Sequence, residues 1–358
     1  MTSTAERIQL LAEACALSCV EKWIGKITAR DLKTWLAAEL GSATALDDFR
    51  PHGPIQSKAM APKDILHILS GNTPHAAIQS LIRGLLLGSH NTFKIPSSGL
   101  PEFIECTEGI PAPLNQLIEI HDTLTEEHWS RANAIIAIGS DASINAIHQK
   151  ALAHQIFIPH GHKLSIGIVY NDFKNAARLA ARDISLYNQR GCLSLHAIYA
   201  AGDSRSFAGL LAQEMEHFCQ QNPPEPIDLS EAGAVRNLRE TIRFCAANDP
   251  STQLWESQDS LNWSVVHENS ATLKLSCLNR CVYVKPLPPI LNTQILGPEA
   301  QHLSTIATHP FSCTEAAAPT NLTAHRICPL GTSQQPSLFW HHDGFAPLAS
   351  LVKWTDLG

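Results

Sequence analysis

Charge and aromatic residues are scarce in this 358-residue chain: Asp, Glu, Lys and Arg supply 16% of it and Phe, Trp and Tyr 6%, against 44% hydrophobic residues. A chain so poor in charge has ample material for a core and reads as globular throughout. No sustained Lys/Arg run occurs, and the formal net charge is -7. Nucleic acid and anionic membrane surfaces are thereby disfavoured as partners, and small molecules favoured. No stretch approaches the ~20 apolar residues that span a bilayer, and the first residues lack the basic start, apolar centre and cleavage site of a secretory signal. The expectation is a cytoplasmic protein with no membrane span. Neither Gly-x-Gly-x-x-Gly nor a Walker loop is present, so a nucleotide, if bound, is held in another way. Internal repeats and low-complexity tracts are absent too. Of the ten cysteines, Cys15/Cys19 sit four apart on an expected helix face, and Cys277/Cys281 four apart running into an expected strand. Neither pair has the Cys-x-x-Cys and histidine context of a zinc site, which points to reduced thiols and no structural metal.

What is there suits two domains of ordinary size. Ser3 with Glu6 reads as a capping box that opens an amphipathic helix over 3–23. A second helix, Ala29–Leu40, stops at Gly41, and the proline- and glycine-bearing stretch 50–62 marks a boundary. From Asp64 extended and helical runs alternate: 65–69 extended, 75–87 helical, 92–95 extended, 114–124 helical, 134–138 extended, 141–153 helical. Extended runs 155–158 and 164–170 lead into a helix over 172–187. Such alternation predicts an α/β fold with a parallel sheet covered by helices. Beyond it, 195–200 is extended, 204–219 and 230–246 are helical around a proline-rich linker, 263–267, 272–275 and 281–284 are extended, and the tail is apolar enough to dock.

Ligands of such sheets sit beyond the carboxyl ends of strands, and three strand ends carry polar chemistry. Ser70-Gly71-Asn72-Thr73-Pro74 fixes Asn72 at a helix entrance, as an ordinary Asn turn also does. Lys94 ends a mostly apolar strand before Pro96-Ser97-Ser98-Gly99; an anionic ligand or plain solvation would satisfy it. Gly139-Ser140-Asp141 offers N–H groups to a phosphate, or is simply a helix N-cap. A fourth junction, Asn188-Gln189-Arg190-Gly191-Cys192-Leu193-Ser194, places a thiol on a glycine turn between helix and strand, where backbone N–H groups favour the reactive thiolate. A small buried cysteine is the bland alternative.

Several ordered motifs together give the chain a specific likeness. Gly71-Asn72-Thr73-Pro74, Gly161-His162-Lys163-Leu164-Ser165, Ala181-Arg182-Asp183-Ile184 with Tyr187–Ser194, and Arg326-Ile327, Gly331 and Trp340-His341-His342-Asp343-Gly344 resemble the acyl-CoA reductase family of LuxC-like fatty acid reductases, a branch of the aldehyde dehydrogenase superfamily. The resemblance implies an aldehyde dehydrogenase-like fold with a Rossmann-like NADP-binding domain over 61–187, a catalytic thiol domain over 188–358 and an N-terminal helical segment over 1–60. It implies NADPH-dependent reduction of an acyl-CoA or acyl-carrier thioester to an aldehyde, with Cys192 as nucleophile, Asn72 as oxyanion donor, and Lys94, Ser97, Gly139 and Ser140 on the cofactor. An acyl-transfer partner protein and a homo-oligomer are further expectations. The Glu-Leu-Gly-Gly-Lys segment of oxidising aldehyde dehydrogenases, whose glutamate activates water, appears as Pro159-His160-Gly161-His162-Lys163. Without that carboxylate the acyl-enzyme can wait for hydride, and His160 or His162 is left as a proton shuttle, or as a histidine satisfying backbone. Two other readings stand beside it: a metal-dependent hydrolase built on His160/His162 and His341/His342/Asp343, and a non-catalytic binding module of the same fold.

Overall fold

The computed structural model describes residues 2–71, 73–312 and 321–358. It divides into two compact units, Met1–His162 with Pro336–Gly358, and Lys163–Gln335.

In the first unit, helix α1 (Thr4–Cys15) is opened by Ser3, whose hydroxyl accepts the Glu6 N–H while the Glu6 carboxylate accepts that of Ser3. The single helix expected over 3–23 is in fact two. Leu17 is extended and starts α2 (Ser18–Ile24), and its side chain fills the space over Gly109, where a Cβ would lie 2.6 Å away. Cys15 and Cys19 therefore belong to different helices. Helix α3 (Ala29–Leu40) ends at left-handed Gly41 as read. The stretch expected as a boundary is an antiparallel hairpin of β1 (Arg50–His52) and β2 (Ile55–Met60).

Then come β3 (Asp64–Ile68), α4 (Pro74–Leu87), β4 (His90–Lys94), α5 (Pro101–Glu108), β5 (Ile118–His121), α6 (Glu126–Arg131), β6 (Ala134–Ile138), α7 (Asp141–His148) and β7 (Ile156–His160). The five strands form a parallel sheet in the order β5-β4-β3-β6-β7. The helix expected over 114–124 is one 3-10 turn, Leu114–Leu117, followed by β5. There Glu119 pairs with Arg131 at 2.7 Å, and the pairing with β4 outweighs the apolar spacing. Under the sheet, buried His67 lies 2.8 Å from the Ser80 hydroxyl and 3.0 Å from the Asn91 amide oxygen. That oxygen occupies the place of a Cβ at Gly84, 1.8 Å away, so α4 needs glycine there.

The second unit contains β8 (Leu164–Val169), α8 (Phe173–Ser185), β9 (Leu195–Ala200), α9 (Ser204–Gln221), α10 (Leu229–Asn248), β10 (Gln253–Glu256), β11 (Ser264–His267), β12 (Cys281–Pro286), α11 (Thr293–Leu296), β13 (Leu303–His309) and β14 (Arg326–Pro329). The sheet order is β10-β11-β12-β9-β8-β13-β14, parallel except for β10. Strands β8 and β9 are buried along their whole length, as expected for a parallel sheet covered on both faces. Ala176, Ala177, Ala180 and Ala181 let α8 pack closely in the cluster that holds Phe207 and Leu211 of α9. Ile166, Ile168 and Tyr199 point into a separate cluster with Ile306. Residues 272–275, expected as a strand, are irregular; Lys274 there turns to the Glu268 carboxylate at 2.6 Å.

The domain boundary expected at 187/188 is corrected to 162/163, because β8 pairs with β9 and β13 rather than with β7. Nor is 1–60 separate, since its helices share one core with the sheet of the first unit. The tail returns to that unit as β15 (Lys353–Leu357), antiparallel to β2.

Candidate active site

Cys192 stands in the second unit between α8 and β9. The helix expected to run through Tyr187 ends at Ser185, and Tyr187, Asn188 and Gln189 follow with φ of 54°, 49° and 64°. Three consecutive non-glycine residues in the left-handed region cost on the order of 1 kcal/mol each, and persist only where the surroundings fix them. Buried Gln189 does that fixing. Its amide donates to the carbonyls of Leu195 (2.8 Å) and Cys281 (2.6 Å), and its oxygen accepts the Cys281 N–H at 2.9 Å. Arg190 pairs with Glu231 at 3.0 Å. The turn closes with Ser194 N–H on the Gly191 carbonyl at 3.0 Å, and the Ser165 hydroxyl donates to the Cys192 carbonyl at 2.9 Å. Cys192 itself is half-buried.

The motifs read separately in the sequence meet behind this turn. The buried Asp183 carboxylate accepts the N–H groups of Gly331 (2.7 Å) and Ser333 (3.1 Å). Burial raises its pKa to about 6, against the pull of those donors. Gln334 donates to the Asp183 carbonyl at 3.3 Å and to the Ser194 hydroxyl at 2.7 Å. Gly331 has φ 90° and packs on Leu179, 2.7 Å from where its Cβ would stand. Asp183, Ser194, Gly331 and Gln334 thus form one scaffold for the cysteine turn, which sequence reasoning did not find.

The first unit presents the carboxyl edge of its sheet. Register sets His121, Lys94, Ile68, Ala137 and Pro159 side by side across five strands. The winding reverses between β3 and β6, where parallel sheets open a crevice for dinucleotides. Gly71 and Gly139 follow those two strands. A Cβ on Gly71 would lie 2.8 Å from the Ser98 hydroxyl and 3.3 Å from Pro96, so the turns after β3 and β4 touch. Lys94 is half-buried at the end of β4 and Ser97 exposed after it. Exposed Ser140 caps α7, accepting the Ser143 N–H at 3.3 Å. Asn72 lies outside the described residues.

His160 and His162 differ. The exposed His162 gives its backbone N–H to Asp141 at 2.7 Å, which leaves no room for a Cβ on Gly161. His160 is buried, with Nδ1 2.8 Å from Asp343 Oδ2. Its ring stacks on His342 at 3.8 Å and 15°, Trp340 stacks beyond His342 at 4.8 Å, and Phe345 meets His160 edge-on. Asp343 has φ 52° and a buried second oxygen with no hydrogen-bond partner among the described residues. Burial holds His342 well below the usual histidine pKa. The carboxylate missing from the 159–163 segment therefore comes back from position 343, and it is engaged by an imidazole. His160, His342 and Asp343 have ligand atoms within 4.8 Å of one another. A metal lies in the plane of each imidazole that binds it, however, and two near-parallel rings 3.8 Å apart cannot share one in that way. The arrangement is a hydrogen-bonded His–Asp dyad under a ring stack, with His341 exposed beside it.

None of the nine described cysteines is in a disulfide, and no helix among the described residues is long and apolar enough to cross a membrane. By fold the chain is similar to aldehyde dehydrogenases. An oxidoreductase from Marinobacter aquaeolei superposes with a TM-score of 0.71 over 99% of this chain and 86% of that one, at 12% identity. Succinic semialdehyde dehydrogenase from Streptococcus pyogenes, solved with NADP+, gives 0.67 over 99% and 90%, at 14% identity. In sequence it is 27% identical over 337 residues to the long-chain acyl-protein thioester reductase of Photorhabdus laumondii, covering 88% of this chain and 68% of that protein. It is likewise 27% identical over 335 residues, with the same coverage, to long-chain acyl-protein thioester reductase 2 of Photobacterium leiognathi. The profile of the family described as acyl-CoA reductase (LuxC) matches residues 3–354, and the chain is an enzyme of that family.

Proposed function

We propose that the enzyme reduces a long-chain acyl thioester, carried by coenzyme A or by a protein, to the aldehyde through an acyl thioester on Cys192, with NADPH as reductant. The observation that carries this reading is the cysteine turn: Cys192 is half-buried on a turn that Ser165, Gln189 and Gln334 hold by side-chain hydrogen bonds. A nucleophile gains from such fixing, because misplacement of the attacking atom is costly in rate.

The Cys192 thiolate attacks the thioester carbonyl, the carrier thiolate departs, and the acyl group remains as an enzyme thioester. The negative oxygen formed on the way needs donors aimed at it, and the Asn72 side-chain amide and the Cys192 N–H take that role. His160 moves the proton between the Cys192 thiol and the departing thiolate, and Asp343, accepting from Nδ1, fixes its tautomer. The nicotinamide, when bound, supplies the hydride. Cys192 then leaves as the tetrahedral adduct collapses to the aldehyde.

The sheet suits a dinucleotide: the reversal between β3 and β6 is bordered by Gly71 and Gly139, where backbone can approach a ligand closely. Lys94 and Ser97 flank the adenosine ribose. With a serine rather than a carboxylate at 97, a 2′-phosphate meets the Lys94 cation and no like charge. An acyl-transfer protein as donor, and a homo-oligomer, belong to the same reading.

The test follows NADPH absorbance while the purified chain is offered acyl-CoA esters of graded length and an acylated carrier protein. Stoichiometric NADPH loss with aldehyde formation is expected for long chains. Thioester hydrolysis without NADPH loss would replace the reading with that of a hydrolase.

A further inference from the structure

The turn from 277 to 281 in the second unit carries chemistry that acyl reduction does not use. Leu278, Asn279 and Arg280 have φ of 63°, 54° and 59°, one left-handed turn that brings Cys277 and Cys281 to the same side. Four residues of helical rise separate such ends by roughly 6 Å, within the Cα spacing that a disulfide spans. Both sulfurs lie against that turn, Cys277 Sγ 3.9 Å from the Leu278 carbonyl and Cys281 Sγ 3.8 Å from the Asn279 carbonyl.

Their surroundings make them unequal. Cys281 is fully buried and Cys277 partly open. The Arg239 guanidinium acts on both, and it is fixed by the hydroxyls of Ser264 and Ser257 and by the Ser260 and Trp263 carbonyls. Its ion partner is Glu256, at 3.1 Å. The neighbouring Cys281 thiol lowers the Cys277 pKa, with backbone and Arg239 adding to it against burial. Cys281 is pushed well above that range. An accessible thiol that ionises readily beside a buried one that does not is the division of labour of attacking and resolving cysteines.

We propose that Cys277 and Cys281 are a redox-active dithiol, closed to an intramolecular disulfide by a low-molecular-weight disulfide of the glutathione class. The Cys277 thiolate attacks one sulfur of oxidised glutathione, forming a mixed disulfide and releasing a glutathione thiolate. Cys281 then attacks the Cys277 sulfur, its proton passing to the second glutathione as that leaves. Two protein thiols are oxidised and one glutathione disulfide is reduced to two thiols. The bridge lies against the nucleophile's support, because the backbone N–H and carbonyl of Cys281 are the groups that hold Gln189. Oxidation of this pair therefore acts on the Cys192 turn.

The experiment uses the full chain as Cys192→Ser, so that the nucleophile does not react, with circular dichroism to verify folding. After exposure to oxidised glutathione and trapping of remaining thiols, tryptic cleavage after Arg280 separates the two cysteines. A bridge appears as two linked peptides that part on reduction, with no glutathione retained. In the same background Cys281→Ser should hold glutathione stably on Cys277. Limiting iodoacetamide near pH 7 should label Cys277 about tenfold faster than Cys245, which is half-buried like it, since thiolate fraction changes tenfold per unit of pKa. Glutathione that stays on Cys277 while Cys281 is present, or that spreads evenly over Cys19, Cys245 and Cys277, would overturn the proposal.

Discussion

In the first unit burial keeps the imidazoles of His67, His75 and His342 neutral, whereas the buried polar groups that hold the Cys192 turn in the second include a carboxylate and two amides tied to backbone. Burial lowers His67 to about 3 and His75 to about 4, and holds His342 well below 6.5. In the second unit Asp183 reaches the main chain of Gly331 and Ser333, Gln189 that of Leu195 and Cys281, and Gln334 that of Asp183. The contrast follows from what each part must hold. The first unit's candidate cofactor edge lies at the ends of regular strands, whose ladder already fixes the backbone. Cys192 sits on irregular chain after three left-handed residues, where side chains supply hydrogen bonds that no strand ladder provides.

Gln189→Met gives the hardest test of that contrast. It removes two bonds to buried carbonyls and one from the Cys281 N–H, which keeps its bond to the Leu278 carbonyl at 3.1 Å, and should cost about 3 kcal/mol in denaturant unfolding. Alkylation of Cys192 should also lose its single rate. A loss under about 1 kcal/mol would mean that the turn holds its own shape. Asn72→Ala, on the other unit, should leave stability unchanged and lower turnover by about 10²- to 10³-fold, some 3 kcal/mol, as loss of one oxyanion donor does. Near-normal turnover would remove Asn72 from the site.

Ser97→Glu should move kcat/KM from NADPH toward NADH by about 2 kcal/mol, the worth of a charge-assisted contact to a 2′-phosphate. An unchanged ratio would separate Lys94 and Ser97 from the ribose.

The smallest effect is a difference in pH slope. His67 and His75 have folded pKa values below the unfolded 6.5, so their contribution is full above pH 6.5 and is lost as pH falls toward about 3 and 4. Asp183 has the opposite sign. Raised to about 6 from 3.8, it favours the folded state more as pH falls through that interval. Asp183→Asn should therefore make the decline in unfolding free energy from pH 7 to pH 5 steeper, by about 1 kcal/mol. An equal or shallower decline would show that the N–H donors, not burial, govern this carboxylate.

Much of this architecture is legible in the sequence because it rests on local pattern. The alternation from Asp64 onward placed four of the five strands in the first sheet, and Ser3/Glu6 and Gly41 marked helix ends that the structure has. Where a local pattern was ambiguous the reading failed. Residues 114–124 carry apolar spacing compatible with a helix, yet 118–121 pair with β4. The domain boundary was misplaced because β8 looks like any other strand until its neighbours are known. The scaffold of the site was hidden for a different reason, namely that its bonds join distant chain segments. Gln189 and Cys281 are 92 residues apart, Ser194 and Gln334 140, and His160 and Asp343 183. A buried polar residue needs a partner, but spacing does not name which.

The central claim is that Cys192 carries the acyl group, and peptide mapping of the chain incubated with a long-chain acyl-CoA and no reductant tests it most directly. The account predicts one acyl thioester, on the peptide containing Cys192, discharged by NADPH and absent from Cys192→Ala. An acyl group on another cysteine, or acylation that survives in Cys192→Ala, would contradict it.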